Sequence, residues 1–314
     1  MFTVILVGCA VFAPVLGYEH KNELIEQDPT VIGEHVVSRR PHEYIKAEDL
    51  PASLDYREKG LLTTDLNQHI PTYCGSCWGH ATISSIADRI KIATNGQTRD
   101  VIPSVQALIN CGHAGSCNGG DANAANAWIY KNGLPDVTCQ QYQATNMECS
   151  AINTCMNCDP GGGDCYAVTD YPAVSLAEFG TAHGDDEIMA EIFARGPVAA
   201  NIDANCLLDY TGGINGYDTC KKITNHVISL SGWGSENGTD YWIGRNSWYV
   251  QLQLELELQL HLFILILVCM WFIGALTGVS ADSFALCAVV STSLTEVSGV
   301  FPTFLIICRR TGAD

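Results

Sequence analysis

Eleven cysteines fall between Cys74 and Cys220, at 74, 77, 111, 117, 139, 149, 155, 158, 165, 206 and 220. That density points to an oxidising compartment and a disulfide-stapled fold, because so many thiols are hard to keep reduced and idle in a cytosolic chain. Eleven is odd, so one cysteine is left over for chemistry. Four more, Cys9, Cys269, Cys287 and Cys308, lie in the two apolar ends. The CxxC spacings Cys74/Cys77 and Cys155/Cys158 would suit zinc or a redox pair. No second pair at finger-like spacing beside histidines accompanies them, so neither a metal nor a cofactor is expected.

The ends differ from the middle. Residues 1–17 are apolar and then turn polar at Tyr18-Glu19-His20-Lys21, which reads as a secretory signal peptide. Residues 18–49 are charged, lack cysteine and keep no helical or strand period, so they read as a short pro-segment or mobile arm, with the structured chain starting near Leu50-Pro51. From Gln251 the chain alternates QLQLELELQLHL to Leu262, which puts every Leu on one strand face. An apolar run from Leu262 to Leu276 follows, long enough for a membrane segment near 262–279 if Thr277-Gly278-Val279 are added. A second run, Val300 to Cys308, ends in Arg309-Arg310. The 16 basic and 34 acidic residues leave a net charge of −18. A surface that acidic excludes a nucleic-acid partner, since such affinity comes from Lys and Arg displacing counterions.

The central segment carries the chemistry. Tyr73-Cys74-Gly75-Ser76-Cys77-Trp78-Gly79-His80 precedes a stretch with helical spacing (Ile83, Ile86, Ala87, Ile90) and no breaker before Asn95-Gly96. Cys77 thus sits at a helix N-terminus, where the partial positive charge of unpaired N–H groups favours a thiolate. Downstream, Thr224 to Leu230 is strand-like with His226 at its entry, and Asn246-Ser247-Trp248 comes 20 residues after that histidine. A thiol, an imidazole and an amide are what nucleophilic acyl transfer needs: attack, proton shuttle and ring orientation. Trp248 is read as a shield over the His226/Asn246 contact, because excluding water strengthens that bond. Trp78, Trp233 and Trp242 read as core, and His80, His113 and His183 as packing or surface residues. Asn237-Gly238-Thr239 is an N-glycosylation sequon on a polar turn.

C-G-S-C-W with a distant His and Asn resembles the papain-like cysteine peptidases. Within that family, Asn67-Gln68-His69-Ile70-Pro71-Thr72-Tyr73-Cys74 resembles a carboxypeptidase branch with a His-Ile-Pro insertion between the oxyanion-hole glutamine and the nucleophile. Similarity runs from about Arg39 to Trp248. It implies an α+β, papain-like two-domain fold over residues 50–249, with a helical left domain, a β-barrel-like right domain and a cleft between them.

The resemblance also implies roles. Cys77 would be the nucleophile, His226 the general acid and base, Asn246 its positioning partner, and Gln68 an oxyanion donor beside the Cys77 N–H. His69 would hold the terminal carboxylate of a peptide with a free C-terminus, and Tyr73 would wall that pocket. The implied disulfides are Cys74–Cys117, Cys111–Cys149, Cys139–Cys155 and Cys158–Cys165, leaving Cys206 and Cys220 to each other. A lysosomal or extracellular setting follows from the same likeness.

Two departures stand out. Residues 18–49 contain no cysteine, so the covalent latch between pro-segment and nucleophile that the resemblance implies cannot form. After Trp248 the expected Gly/Trp-rich strands give way to residues 250–314, an atypical hydrophobic tail that leaves the right domain incomplete. Three readings of that tail stay open: non-coding sequence read through in the gene model, an alternative C-terminus with a membrane anchor, or Leu252–Leu262 standing in for the lost strands. The rival functional readings are an inactive or membrane-tethered homologue and an ordinary endopeptidase.

Overall fold

A computed structural model describes residues 21–208, 210–215, 220, 223–248 and the backbone of 304–308. Its helices are α1 (Pro29–Ile32), α2 (Cys77–Ala93), α3 (Val105–Cys111), α4 (Ala122–Asn132) and α5 (Gly184–Arg195). The strands are β1 (Leu54–Asp55), β2 (Gly115–Ser116), β3 (Gly119–Gly120), β4 (Leu134–Pro135), β5 (Met156–Cys158), β6 (Cys165–Ala167), β7 (Ala173–Val174), β8 (Val198–Ile202), β9 (Ile214–Asn215), β10 (His226–Glu236), β11 (Thr239–Arg245) and β12 (Phe304–Cys308).

Helix α2 is the centre of the molecule. Every residue from Cys77 to Asp88 is buried, which a helix tolerates only when other elements cover it all round. It stops where the sequence says it should, as Asn95 and Gly96 take positive φ of 50° and 67°. Helices α3 and α4 begin at side-chain caps. Ser104 Oγ accepts from the Ala107 N–H, and Asp121 accepts from Asn123 and Ala124. These three helices enclose one apolar core that includes Trp78, Ile83, Leu108, Ile129 and Leu134.

A second core lies between the large sheet and α5, built from Leu54, Tyr56, Ile192, Ile228, Leu230 and Trp233. The sheet runs β1-β10-β11-β12-β9, with β8 also paired to β10. It is open, with no closed barrel among the described residues. Strands β10 and β11 form a hairpin closed by Asn237 and Gly238, both at positive φ (52° and 80°), the conformation a two-residue hairpin turn requires. The Asn237 sequon therefore sits exposed at a hairpin tip. Because Ser229 pairs with Arg245, the turn returns the chain so that Asn246 lies beside the His226 end of β10.

One sequence expectation changes. The ordered chain does not start near Leu50: Leu24 bridges Gly120, His35 bridges Phe179, and Glu23 and Leu24 are buried. Their order comes from pairing with distant partners, which local periodicity does not register. The strand beside β11 is β12, antiparallel with Tyr241 opposite Cys308 and Arg245 opposite Phe304, and parallel to β9. Leu252–Leu262 and the apolar stretch 262–279 lie outside the described residues. Among the described residues no helix is long and apolar enough to cross a membrane.

Among the described residues five disulfides are present: Cys74–Cys117, Cys111–Cys149, Cys139–Cys155, Cys158–Cys165 and Cys206–Cys220. Among the described residues Cys77 is the free cysteine, and it is buried.

Candidate active site

The site forms where the two cores meet. Helix α2 supplies Cys77 at its first turn, β10 begins with His226, and the chain leaving β11 supplies Asn246. A buried ion pair locks these elements together. The Arg245 guanidinium reaches Asp88 on α2, and Asp88 Oδ1 also accepts the Thr63 N–H and hydroxyl, each at 2.8 Å. A hydrogen bond between Ser85 and Ser229 (3.0 Å) adds a second tie between helix and sheet.

His226 Nε2 lies 2.8 Å from Asn246 Oδ1, an oxygen that also accepts the Ser247 N–H. The Trp248 ring tilts over the imidazole with centroids 4.5 Å apart, so one edge of the ring is shielded from water. Gln68 is fully buried. Its backbone N–H donates to Ser247 O at 2.9 Å, its Oε1 accepts from the Ser247 hydroxyl, and its Nε2 donates to Cys74 O at 3.0 Å. The glutamine thereby bridges the Cys77 loop and the Asn246 segment. His69, the next residue, stacks nearly parallel on Tyr73 at 4.8 Å and lies 6.4 Å from the Trp248 ring. The seven residues singled out from the sequence thus converge on one place.

An eighth residue was not legible in the sequence. Glu23 accepts from Gln68 Nε2 at 2.9 Å and from the Tyr73 hydroxyl at 2.7 Å, and it meets His226 Nδ1 at 3.2 Å. Its carboxylate is 2% exposed. The Cys77 sulfur, a His226 ring nitrogen and a Glu23 oxygen all lie within 4.8 Å of one another. These three could together ligate a metal ion, although the Glu23–His226 hydrogen bond already accounts for their approach.

The electrostatics follow from this packing. Burial alone would raise the Glu23 pKa, but the His226 hydrogen bond and charge, with hydrogen bonds from Tyr73 and Gln68, outweigh it and bring the value down to about 2. The Cys77 thiol moves the other way, pushed well up by burial first and by the Glu23 charge second. The helix N-terminus favours a thiolate, but here that effect is overridden. Both His226 nitrogens face acceptor oxygens, the Glu23 carboxylate at Nδ1 and the Asn246 amide carbonyl at Nε2.

His80, His113, His183, Trp78 and Trp233 hold packing or surface positions. His80 is buried edge-on against Tyr142, and burial lowers its pKa to about 4. Trp78 donates to Ser116 O and Trp233 to Pro51 O. His113 is exposed, and His183 precedes α5.

Comparison with known proteins gives the wider setting. A profile described as "Papain family cysteine protease" matches residues 50–253. Cathepsin Z of Onchocerca volvulus is 40% identical over 207 residues, 64% of this chain and 67% of that protein. Cathepsin S of Bos taurus is 29% identical over 209 residues, 64% of this chain and 57% of that protein. Among solved structures, digestive procathepsin L2 proteinase from Tenebrio molitor larval midgut superposes with a TM-score of 0.55. Its identity is 29%, over 73% of this chain and 69% of that one.

Proposed function

The chain belongs to the papain family of cysteine proteases, and from that premise we propose that it is a carboxypeptidase that removes single C-terminal residues from peptides in the lysosome or outside the cell. In this reading the Cys77 thiolate attacks the scissile carbonyl, while Gln68 Nε2 and the Cys77 N–H receive the developing oxyanion. His226 then passes its proton to the leaving amine, held in orientation by Asn246. Water attacks the acyl-enzyme to release the shortened peptide.

The observation that carries the exopeptidase reading is the placement of His69. It follows Gln68 directly, is steadied by Tyr73 and lies toward Trp248, one residue beyond the oxyanion donor. A donor there rewards a free terminal carboxylate and leaves no room for a longer chain. Residues 18–49 serve as the pro-segment in this reading. The passage of residues 23–25 between Asn225 and Gly120 supports it, as does the likeness to a solved procathepsin.

The test uses matched peptides with free and amidated C-termini, incubated with the purified chain before and after limited proteolysis of its N-terminal segment. Loss of one residue from the free acid alone, abolished by Cys77→Ser, is expected. Equal cleavage of the amidated peptide would make it an endopeptidase. No turnover after the segment is removed would sink the reading.

A further inference from the structure

Glu23 reaches its position through backbone bonds to both walls of the cleft. Its N–H donates to Asn225 O on the sheet side at 3.0 Å, and its carbonyl accepts the Gly120 N–H on the helical side at 3.1 Å. Gly120 O in turn accepts the Ile25 N–H at 3.1 Å, and Asp121 Oδ2 accepts the Gln27 N–H at 2.8 Å. These contacts fix the register of residues 23–27, so the aim of the Glu23 side chain is set by backbone geometry.

We infer that the catalytic centre contains a carboxylate-binding site made by Gln68, Tyr73 and His226, and that Glu23 fills it in cis as an internal inhibitor. The chemistry is a substitution of counter-ions. In the proposed reaction the thiolate of Cys77 is the anion that balances protonated His226. Here the Glu23 carboxylate balances it instead, and Cys77 stays a neutral, buried thiol. The same carboxylate takes the Nε2 donor of Gln68 that the oxyanion would need. One buried anion therefore disables the nucleophile and the oxyanion donor together, without a covalent bond. This deepens the function proposed above and rests on it for its consequence, although the site itself is a statement about binding.

The groups facing Glu23 are His226 on β10, Cys77 on α2, and Gln68 and Tyr73 on the loop before α2. Lys21 lies over the Tyr73 ring at 5.2 Å. Among the described residues the basic partner in direct contact is thus His226, and a neutral isostere at position 23 would remove the balancing anion while keeping the shape.

The experiment measures the rate at which iodoacetamide modifies Cys77 in the full chain, followed by mass analysis of the Cys77 peptide so that other thiols do not interfere. Glu23→Gln should react at least about tenfold faster than the wild type, one pK unit of thiol activation. Glu23→Ala should react faster still. Sodium formate, compared with chloride at equal ionic strength, should restore protection to Glu23→Ala by refilling the site. Equal rates for wild type and Glu23→Gln would overturn the inference, because a purely steric plug does not depend on charge. Formate acting no better than chloride would overturn it as well. If Glu23→Ala does not fold, as judged by thermal melting, the Glu23→Gln comparison decides alone. Thiol modification does not require turnover, so a failed peptidase assay with a positive result here would sink the function and leave the site standing.

Discussion

The buried pair of Asp88 and Arg245 allows a demanding test of how the site is held together. Asp88 on α2 is completely buried and Arg245 on β11 is 3% exposed. Asp88→Ala would remove the acceptor of the Thr63 N–H and hydroxyl and strand a guanidinium whose remaining acid, Asp65, is 3.7 Å away and 32% exposed. Breaking such a pair costs about 3–5 kcal/mol, because one charge is left in a low-dielectric interior. Arg245→Met should cost about 3 kcal/mol, at the lower end because Asp88 keeps both Thr63 donors. Removing both partners leaves no uncompensated charge, so the double variant should cost about 4 kcal/mol rather than the roughly 7 of a simple sum. Urea unfolding followed by tryptophan fluorescence, with disulfides intact, reads all four corners of the cycle. Additivity within about 0.5 kcal/mol would refute the reasoning, since independent sites add to that precision. The pair joins the Cys77 helix, the loop leading to Gln68 and the strand leading to Asn246, so the single variants should also lose activity at temperatures where they remain folded.

Other outcomes follow from the same geometry. The Glu23 pKa lies near 2, below an ordinary value of 4.5, so its stabilising contribution is fully present above pH 4.5 and fades as pH falls through about 2. That contribution reaches about 3 kcal/mol, so the stability difference between wild type and Glu23→Gln should be large at pH 6 and vanish near pH 2. A difference that disappears already at pH 4 to 5 would contradict this, and would mean that mild acid rather than cleavage opens the site. Gln68→Ala in the proteolysed enzyme should lower kcat about 10²–10³-fold with KM little changed. An unchanged kcat would exclude Gln68 as an oxyanion donor. Gly232→Ala would place a Cβ 2.0 Å from Leu54 O, forcing β1 off β10. A loss of about 1–3 kcal/mol in chemical denaturation is expected, and a neutral result would mean that the two strands separate freely.

Much of the site was readable from the sequence because its parts are local. The helix after Cys77 shows in the spacing of Ile83, Ile86 and Ile90 and in its Asn95-Gly96 stop. The start of β10 shows in the strand-like Thr224–Leu230 and its far end in the polar turn at Asn237-Gly238-Thr239, and the family motif supplied the remaining assignments, from Gln68 to Trp248. Position 23 carried no such mark. It is one acid in a charged stretch with no period, and its partners stand 45, 50 and 203 residues away.

The amino-acid sequence by itself determined that one cysteine of the central segment was left for chemistry, which histidine and asparagine could serve it, and that residues 18–49 offer no cysteine to tie it down covalently. These are matters of parity, spacing and residue type, which survive unfolding on paper. Only the tertiary structure decided the charge state of that chemistry. Whether a helix N-terminus makes Cys77 a thiolate depends on what else is buried within a few ångströms. Here the backbone bonds of Glu23 to Asn225 and Gly120 put a carboxylate where the thiolate's charge would stand. The partner of β11 was likewise set by edge pairing, since unpaired N–H and C=O groups on a strand edge accept any segment that can reach them. In this fold Phe304–Cys308 takes that place.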